Sequence, residues 1–300
     1  MDREALEKHF TDILDNEKDV SAGVAAIRTL MEIIKHGKYT TVQELDENIK
    51  TAIDVMRNTD YPVTAINSGC ELFLRFITLA KLDSTFEECK QTMLDRGMFF
   101  LQKLNQARNK ITGFAAKFIL NGSKVLTHSR SRVVLQTLKE AARQNKHFHV
   151  YITMSAPDNN GEGFKRELET EGIECSLILD AAVGCIMEKI NFVMVGAEGV
   201  VENGGIINKI GTYTVAVCAK QMRKPVYVVA ESFKFTRLFP LNQSDVPDEY
   251  KYTKSMRNGD ITKQHPLVDF TPPEFISLLF TDLGILTPAA VSDQLINLYM

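Results

Sequence analysis

The chain has 300 residues, 44% hydrophobic and 24% charged, with nine Pro and seventeen Gly, an ordinary globular composition that excludes a disordered, collagen-like or low-complexity chain. No uncharged apolar run nears the ~20 residues that span a bilayer, and the N-terminus MDREALEKHF is charged from residue 2, unlike a signal or transit peptide. A soluble, cytosolic chain with no membrane partner is expected.

Net charge is −3, unevenly spread. Eleven Lys or Arg against one acid, Glu140, lie between Arg96 and Lys146. Such a window suits a phosphorylated ligand or partner, or is a solvated helix face. The chain as a whole is acidic and shows no Arg/aromatic interleaving, so nucleic acid is not an expected partner. Five scattered cysteines without a Cys-x-x-Cys pair read as free thiols in a reducing compartment. The six His lack ligand spacing, so no metal site is expected.

Residues 1–120 read as a helical bundle. Ser21 is an N-cap, followed by Val24, Ile27, Leu30, Met31 and Ile34 at helical spacing until Gly37 ends the run. Thr41-Val42-Gln43-Glu44 is a capping box for a helix carrying Leu45, Ile49, Ile53 and Met56. Gly69 to Leu82 is apolar on most sides, hence a buried helix. Ser84-Thr85-Phe86-Glu87 is a second box, opening a long helical pattern through Leu104.

From residue 121 to 300 the character changes to strand–helix alternation. Strands are expected at Lys124–Leu126, Phe148–Met154, Cys175–Leu179, Phe192–Val195 and Val226–Val229. Helices are expected at Val133–Asn145, Phe164–Glu171, Ala181–Met187 and Thr212–Met222. Short β-branched strands of this kind imply a Rossmann-like, doubly wound parallel sheet. The apolar C-terminal stretch from Phe275 either completes that sheet or forms an interface.

In such sheets ligands sit at the carboxyl ends of the strands, where the chain is rich in polar residues and glycine. Thr127-His128-Ser129-Arg130-Ser131-Arg132 follows the first strand and Asp180 the third. Gly196-Ala197-Glu198-Gly199 follows the fourth, leading to Asn208-Lys209-Ile210-Gly211-Thr212, and Glu231-Ser232-Phe233-Lys234 follows the fifth. Taken singly, each glycine could simply make a tight turn; four polar loops on one rim suit a small phosphorylated ligand. Arg132 and Lys209 would neutralise its phosphate. Gly196-x-x-Gly199 is not a dinucleotide fingerprint and no Walker P-loop is present, so neither a nicotinamide cofactor nor GTP is expected.

The segment Val195 to Thr212 (VGAEGVVENGGIINKIGT) resembles the signature of a family uniting methylthioribose-phosphate isomerase, archaeal ribose-bisphosphate isomerase and the alpha, beta and delta subunits of initiation factor 2B. Ala230 to Pro240 and Leu279 to Gly284 resemble its initiation-factor branch, and the likeness runs over essentially the whole chain. The isomerases carry Thr-His-Cys with an acid/base cysteine, and here Thr127-His128-Ser129 stands in that place. They carry Gly-Ala-Asp with a catalytic aspartate, matched here by Gly196-Ala197-Glu198. A serine hydroxyl does not exchange protons near neutral pH unaided, and displacing a catalytic group by ~1 Å can cost about a hundredfold in rate. Ser129 and Glu198 are therefore read as vestigial positions; the alternative is an active sugar-phosphate (aldose–ketose) isomerase that uses Glu198 as its base. Asn208-Lys209 matches the family's ligand-contacting pair, so binding can outlive catalysis.

The resemblance accordingly implies a regulatory, non-catalytic subunit of the factor 2B guanine nucleotide exchange complex. It would form a homodimer, contact the beta, gamma, delta and epsilon subunits, and confer sensitivity to the phosphorylated alpha subunit of initiation factor 2. No cofactor is implied; a sugar phosphate or nucleoside monophosphate is the expected regulatory ligand, with Arg28, Ser129, Arg132, Glu198, Asn208 and Lys209 as its contacts.

Overall fold

The computed structural model describes residues 2–17, 20–78 and 85–299. It divides into two units: Met1–Gln106 with Tyr252–His265 and Leu298–Met300, and Ala107–Lys251 with Pro266–Asn297. The division differs from the boundary at residue 120 expected from the change of period. It falls inside one continuous helix, which no composition shift marks.

The first unit holds α1 (Arg3–Asn16), α2 (Ala22–His36), α3 (Val42–Arg57), α4 (Val63–Thr78) and the leading part of α5 (Phe86–Ala115). Ser21 caps α2, its hydroxyl accepting the Val24 N–H, and eleven of the fifteen residues of α2 are buried. Thr41 caps α3 through the Glu44 N–H. Glu44 reaches back to the N–H and hydroxyl of Thr40, one residue before the cap. The α5 cap is Thr85, paired reciprocally with Glu88, one residue later than expected. Ser84 and residues 79–82 of the expected buried helix lie outside the described residues. Gly69 permits α2 and α4 to touch, because a Cβ there would sit 3.2 Å from the Gly23 backbone. Ser255, from the 252–265 segment, donates its N–H to Asp60 at 2.9 Å.

In the second unit a parallel sheet is built from β1 (Lys124–Thr127), β2 (His149–Thr153), β3 (Glu174–Ile178) and β4 (Phe192–Val195). The crossovers are α6 (Arg132–Arg143), α7 (Asn160–Thr170) and the short α8 (Val183–Ile186). The chain then forms β5 (Gly199–Val201), β6 (Ile206–Lys209), α9 (Thr212–Gln221), β7 (Val226–Val229), β8 (Phe235–Thr236) and β9 (Val268–Thr271). It ends on β10 (Leu278–Thr281), β11 (Gly284–Leu286) and a helix over Val291–Tyr299. The large sheet runs β11-β10-β7-β4-β1-β2-β3, parallel except for the antiparallel edge strand β11. The C-terminal apolar stretch thus completes the sheet. Val134, Leu138, Val150, Ile152, Phe164, Met194 and Phe280 share its core.

A second sheet, in the order β8-β5-β6-β9, was not expected. Its hairpin β5–β6 occupies the stretch read as an open ligand loop. Val200-Val201 and Ile206-Ile207 flank a turn at Gly204 (φ +86°), closed by the Gly204 N–H on the Val201 carbonyl at 2.8 Å. Its apolar side packs Val201, Ile207, Val268 and Phe270 together.

Candidate functional site

Strand order in the large sheet reverses between β1 and β4, and the crevice beyond the carboxyl ends of such a pair is where an open α/β sheet binds ligands. β1 delivers Thr127-His128-Ser129 there. Ser129 takes a left-handed conformation (φ +59°), turning the chain sharply, and the Ser131 hydroxyl then caps α6 through the Val134 N–H. β4 delivers Gly196; a Cβ at that position would lie 2.4 Å from the Ser131 hydroxyl, so only glycine lets the two strand ends close together.

His128 is buried between the two sheets. Its Nε2 lies 2.7 Å from the Ile210 carbonyl and its Nδ1 2.6 Å from the Thr153 hydroxyl. A carbonyl only accepts, so Nε2 carries the proton and Nδ1 accepts from Thr153. Burial pushes the imidazole below its ordinary range, which keeps it neutral. With both nitrogens engaged, His128 positions the β6–α9 turn and is no base for Ser129.

That turn carries the Asn208-Lys209 pair. Asn208 donates to the Thr212 hydroxyl at 3.0 Å, and Thr212 donates to the Lys209 carbonyl at 2.6 Å. Gly211 has φ +101°, and a Cβ there would sit 2.8 Å from His128 Cε1. Gly211→Ala is therefore expected to cost roughly 1–3 kcal/mol of stability and to weaken any ligand held by Lys209. Chemical denaturation and calorimetry on the same preparation check both. Asp269 of β9 accepts the Gly211 and Tyr213 N–H groups at 2.7 and 3.1 Å.

Lys209 faces Asp158 across the crevice, the ammonium 2.5 Å from the carboxylate. Asp158 sits in the β2–α7 loop, whose Ser155 and Ala156 N–H groups both donate to Asp180 at 2.9 Å. Desolvation raises the Glu198 carboxyl above its usual range and Asp158 adds to this, against the opposing pull of Lys234 and Lys209. Lys234 donates to the Ala197 carbonyl at 2.9 Å and stands 3.0 Å from Glu231. The other Glu231 oxygen takes the Arg108 guanidinium at 2.9 Å. Buried Glu231 is held down to about 2, its desolvation overcome by Lys234 and Arg108. The Thr127 and Ser155 hydroxyls are buried without a hydrogen-bond partner.

Of the expected contacts, Ser129, Glu198, Asn208 and Lys209 come together at this crevice, and Arg132 opens α6 beside it. Arg28 belongs to the helical unit, where it pairs with Glu17 at 2.8 Å. The basic window is not one patch. Within the second unit Arg108 binds Glu231, Arg130 binds Glu167, Lys139 binds Glu171, and Lys146 donates to the Ala116 carbonyl. Asp158 and Asp269 were missed. Asp269 alone left a trace, a single acid inside the apolar run Val268–Phe270. A cleft of about 310 Å³ beside Lys220, Lys224 and Phe275 lies at the opposite, amino-terminal ends of β7 and β10. Among the described residues, no group of His, Cys, Asp or Glu is arranged to hold a metal ion.

A sequence model of the Initiation factor 2 subunit family matches residues 16–288. The chain is 40% identical to "Translation initiation factor eIF2B subunit alpha" of Caenorhabditis elegans, covering 100% of each. It is 41% identical to the protein of that name in Dictyostelium discoideum, over 97% of this chain and 95% of the relative. Its fold is similar to that of a chain in the crystal structure of the tetrameric eIF2B-beta2-delta2 complex from C. thermophilum, with TM-score 0.78, 20% identity, and 100% and 96% of the two chains covered. The crevice residues, the strand order and the full-length likeness agree: the chain belongs to the initiation factor 2 subunit family.

Proposed function

We propose that this chain is a regulatory, non-catalytic subunit of the factor 2B guanine nucleotide exchange complex. It acts in the cytosol as a homodimer, joins the beta, gamma, delta and epsilon subunits, and makes exchange sensitive to initiation factor 2 phosphorylated on its alpha subunit. Its crevice binds a sugar phosphate or nucleoside monophosphate as a modulator and needs no cofactor.

One observation carries this reading. Asn208 and Lys209 stand where the resemblance places a ligand-contacting pair, while Ser129 and Glu198 stand where it places the isomerases' acid/base cysteine and aspartate. His128 is no base for Ser129, since both of its nitrogens are committed. The full-length relatives named for the factor 2B alpha subunit support the role.

The test is GDP release from initiation factor 2 by the sister subunits, with and without this chain and with the phosphorylated partner present. Added chain is expected to raise basal exchange and to make it phosphorylation-sensitive. No change in either, or sugar-phosphate isomerisation by the chain alone, overturns the reading.

A further inference from the structure

The cation best placed to receive a phosphate is already occupied. Lys209 is largely buried, with a side chain 13% exposed, and its ammonium is paired at 2.5 Å with Asp158, which is 37% exposed. The two are 51 positions apart in sequence and come from different elements, the end of β6 and the β2–α7 loop. Lys209 adjoins Ile210, whose carbonyl holds the His128 ring, so the pair stands at the crevice. Lys234 is committed to Glu231 and to the Ala197 carbonyl. The Glu198 and Asp180 carboxyl groups stand at the same rim. A dianion entering this space meets carboxylates as well as Lys209, and Lys209 is already neutralised by one of them.

We propose that Asp158 is an internal competitor for the ligand: its carboxylate holds the seat on Lys209 that a phosphate takes on binding, and so sets the affinity and charge selectivity of the crevice. This rests on the ligand-binding reading above and adds the residue that opposes it. Asp158 also has somewhere to go. Its other carboxylate oxygen accepts the Asn160 N–H at 3.3 Å, the first N–H of α7. That contact, at the N-terminus of an eleven-residue helix whose dipole favours an anion, stays available to the carboxylate once Lys209 leaves it. Exchange then swaps one charge-assisted contact of Lys209 for another while Asp158 settles on α7. A monoanion gains less than a dianion from Lys209 yet must displace the same carboxylate. Affinity should therefore rise with pH through about 6, as the phosphate takes its second charge.

The experiment is calorimetric titration of the full chain with ribose 5-phosphate, with ribose and inorganic phosphate as controls, for wild type, Asp158→Asn, Lys209→Ala and the double variant. Asparagine keeps the acceptor for Asn160 while it removes the charge and puts an amide NH2 where Lys209 found its acceptor. Asp158→Asn is expected to tighten ribose 5-phosphate about tenfold, Lys209→Ala to weaken wild type, and the double variant to lose the gain, as a coupled pair must. Wild type that binds, with Asp158→Asn no tighter, overturns the inference and leaves the ligand-binding reading standing. No binding by any of the four sinks both. Hydrogen exchange on wild type supplies a readout independent of the variants: ribose 5-phosphate should speed exchange at 156–158 while slowing it at 209–212. Slowing at both segments would mean that Asp158 stays in place, against the proposal.

Discussion

Glu231→Ala is expected to destabilise the α/β unit by about 3–5 kcal/mol, the range for breaking a buried ion pair by removing one partner. Glu231 is 1% exposed, and the two cations on it, Arg108 and Lys234, are only 16% and 14% exposed. Truncation takes from both cations the carboxylate they share, in a place with little access to water. The depressed carboxyl shows that the pairing outweighs desolvation. A folded pKa of about 2 against an ordinary 4.5 means that stability is fully present above pH 4.5 and is lost as pH falls towards 2. The chain has no Trp, so urea melts followed by far-ultraviolet circular dichroism are the natural measurement. Replacing Arg108, Glu231 and Lys234 together by apolar residues should recover much of the loss, because no charge is then stranded. If the triple variant is as unstable as Glu231→Ala, stranded charge is not the cause. The network also bears on the site: Lys234 holds the Ala197 carbonyl, so Glu231→Gln should loosen the Gly196–Glu198 turn and weaken ligand binding even where the fold survives.

How much of this was legible in the chain follows from the range of each interaction. Five strands of the large sheet, β1 to β4 and β7, were readable because buried parallel strands are continuous apolar runs; Phe192–Val195 and Val226–Val229 match residue for residue. Ser21 and Thr41 were readable because a cap acts within three residues. The second sheet was not. β5 has three residues and β6 four, set among glycines that also suit an anion loop, and what makes them strands is distant pairing, β5 with β8 and β6 with β9. Asp158 was invisible for the same reason: nothing local ties it to Lys209. The family likeness supplied Asn208 and Lys209 but not the carboxylates that oppose or position them.

Asp269 provides the second large effect, one that depends on pH. Its carboxyl is 7% exposed, one oxygen accepts the Gly211 and Tyr213 N–H groups, and the other has no partner. Burial outweighs the two N–H groups and raises the pKa from 3.8 to about 7. A carboxyl raised in the folded state binds a proton that the unfolded chain gives up, so its contribution is fully present below pH 3.8 and is lost as pH rises through about 7. Over that window wild type should lose roughly 2–4 kcal/mol relative to Asp269→Asn, at about 1.4 kcal/mol per pH unit before relaxation is allowed for. The difference between the two proteins is the quantity to follow. His128, whose lowered pKa acts in the opposite sense, and Glu198, raised like Asp269, both titrate nearby but are common to the pair. Urea midpoints at half-unit steps from pH 4.5 to 8 should show the gap shifting in favour of Asp269→Asn up to about pH 7 and then levelling off; a constant gap would mean that Asp269 is ionised throughout. The consequence extends to the crevice. Asp269 holds Gly211, and Ile210 beside it receives the His128 proton, so the charge on Asp269 reaches the turn that presents Lys209. The ligand affinity of wild type should then change between pH 6 and 8 more than that of Asp269→Asn, with a ligand whose own charge is constant over that range.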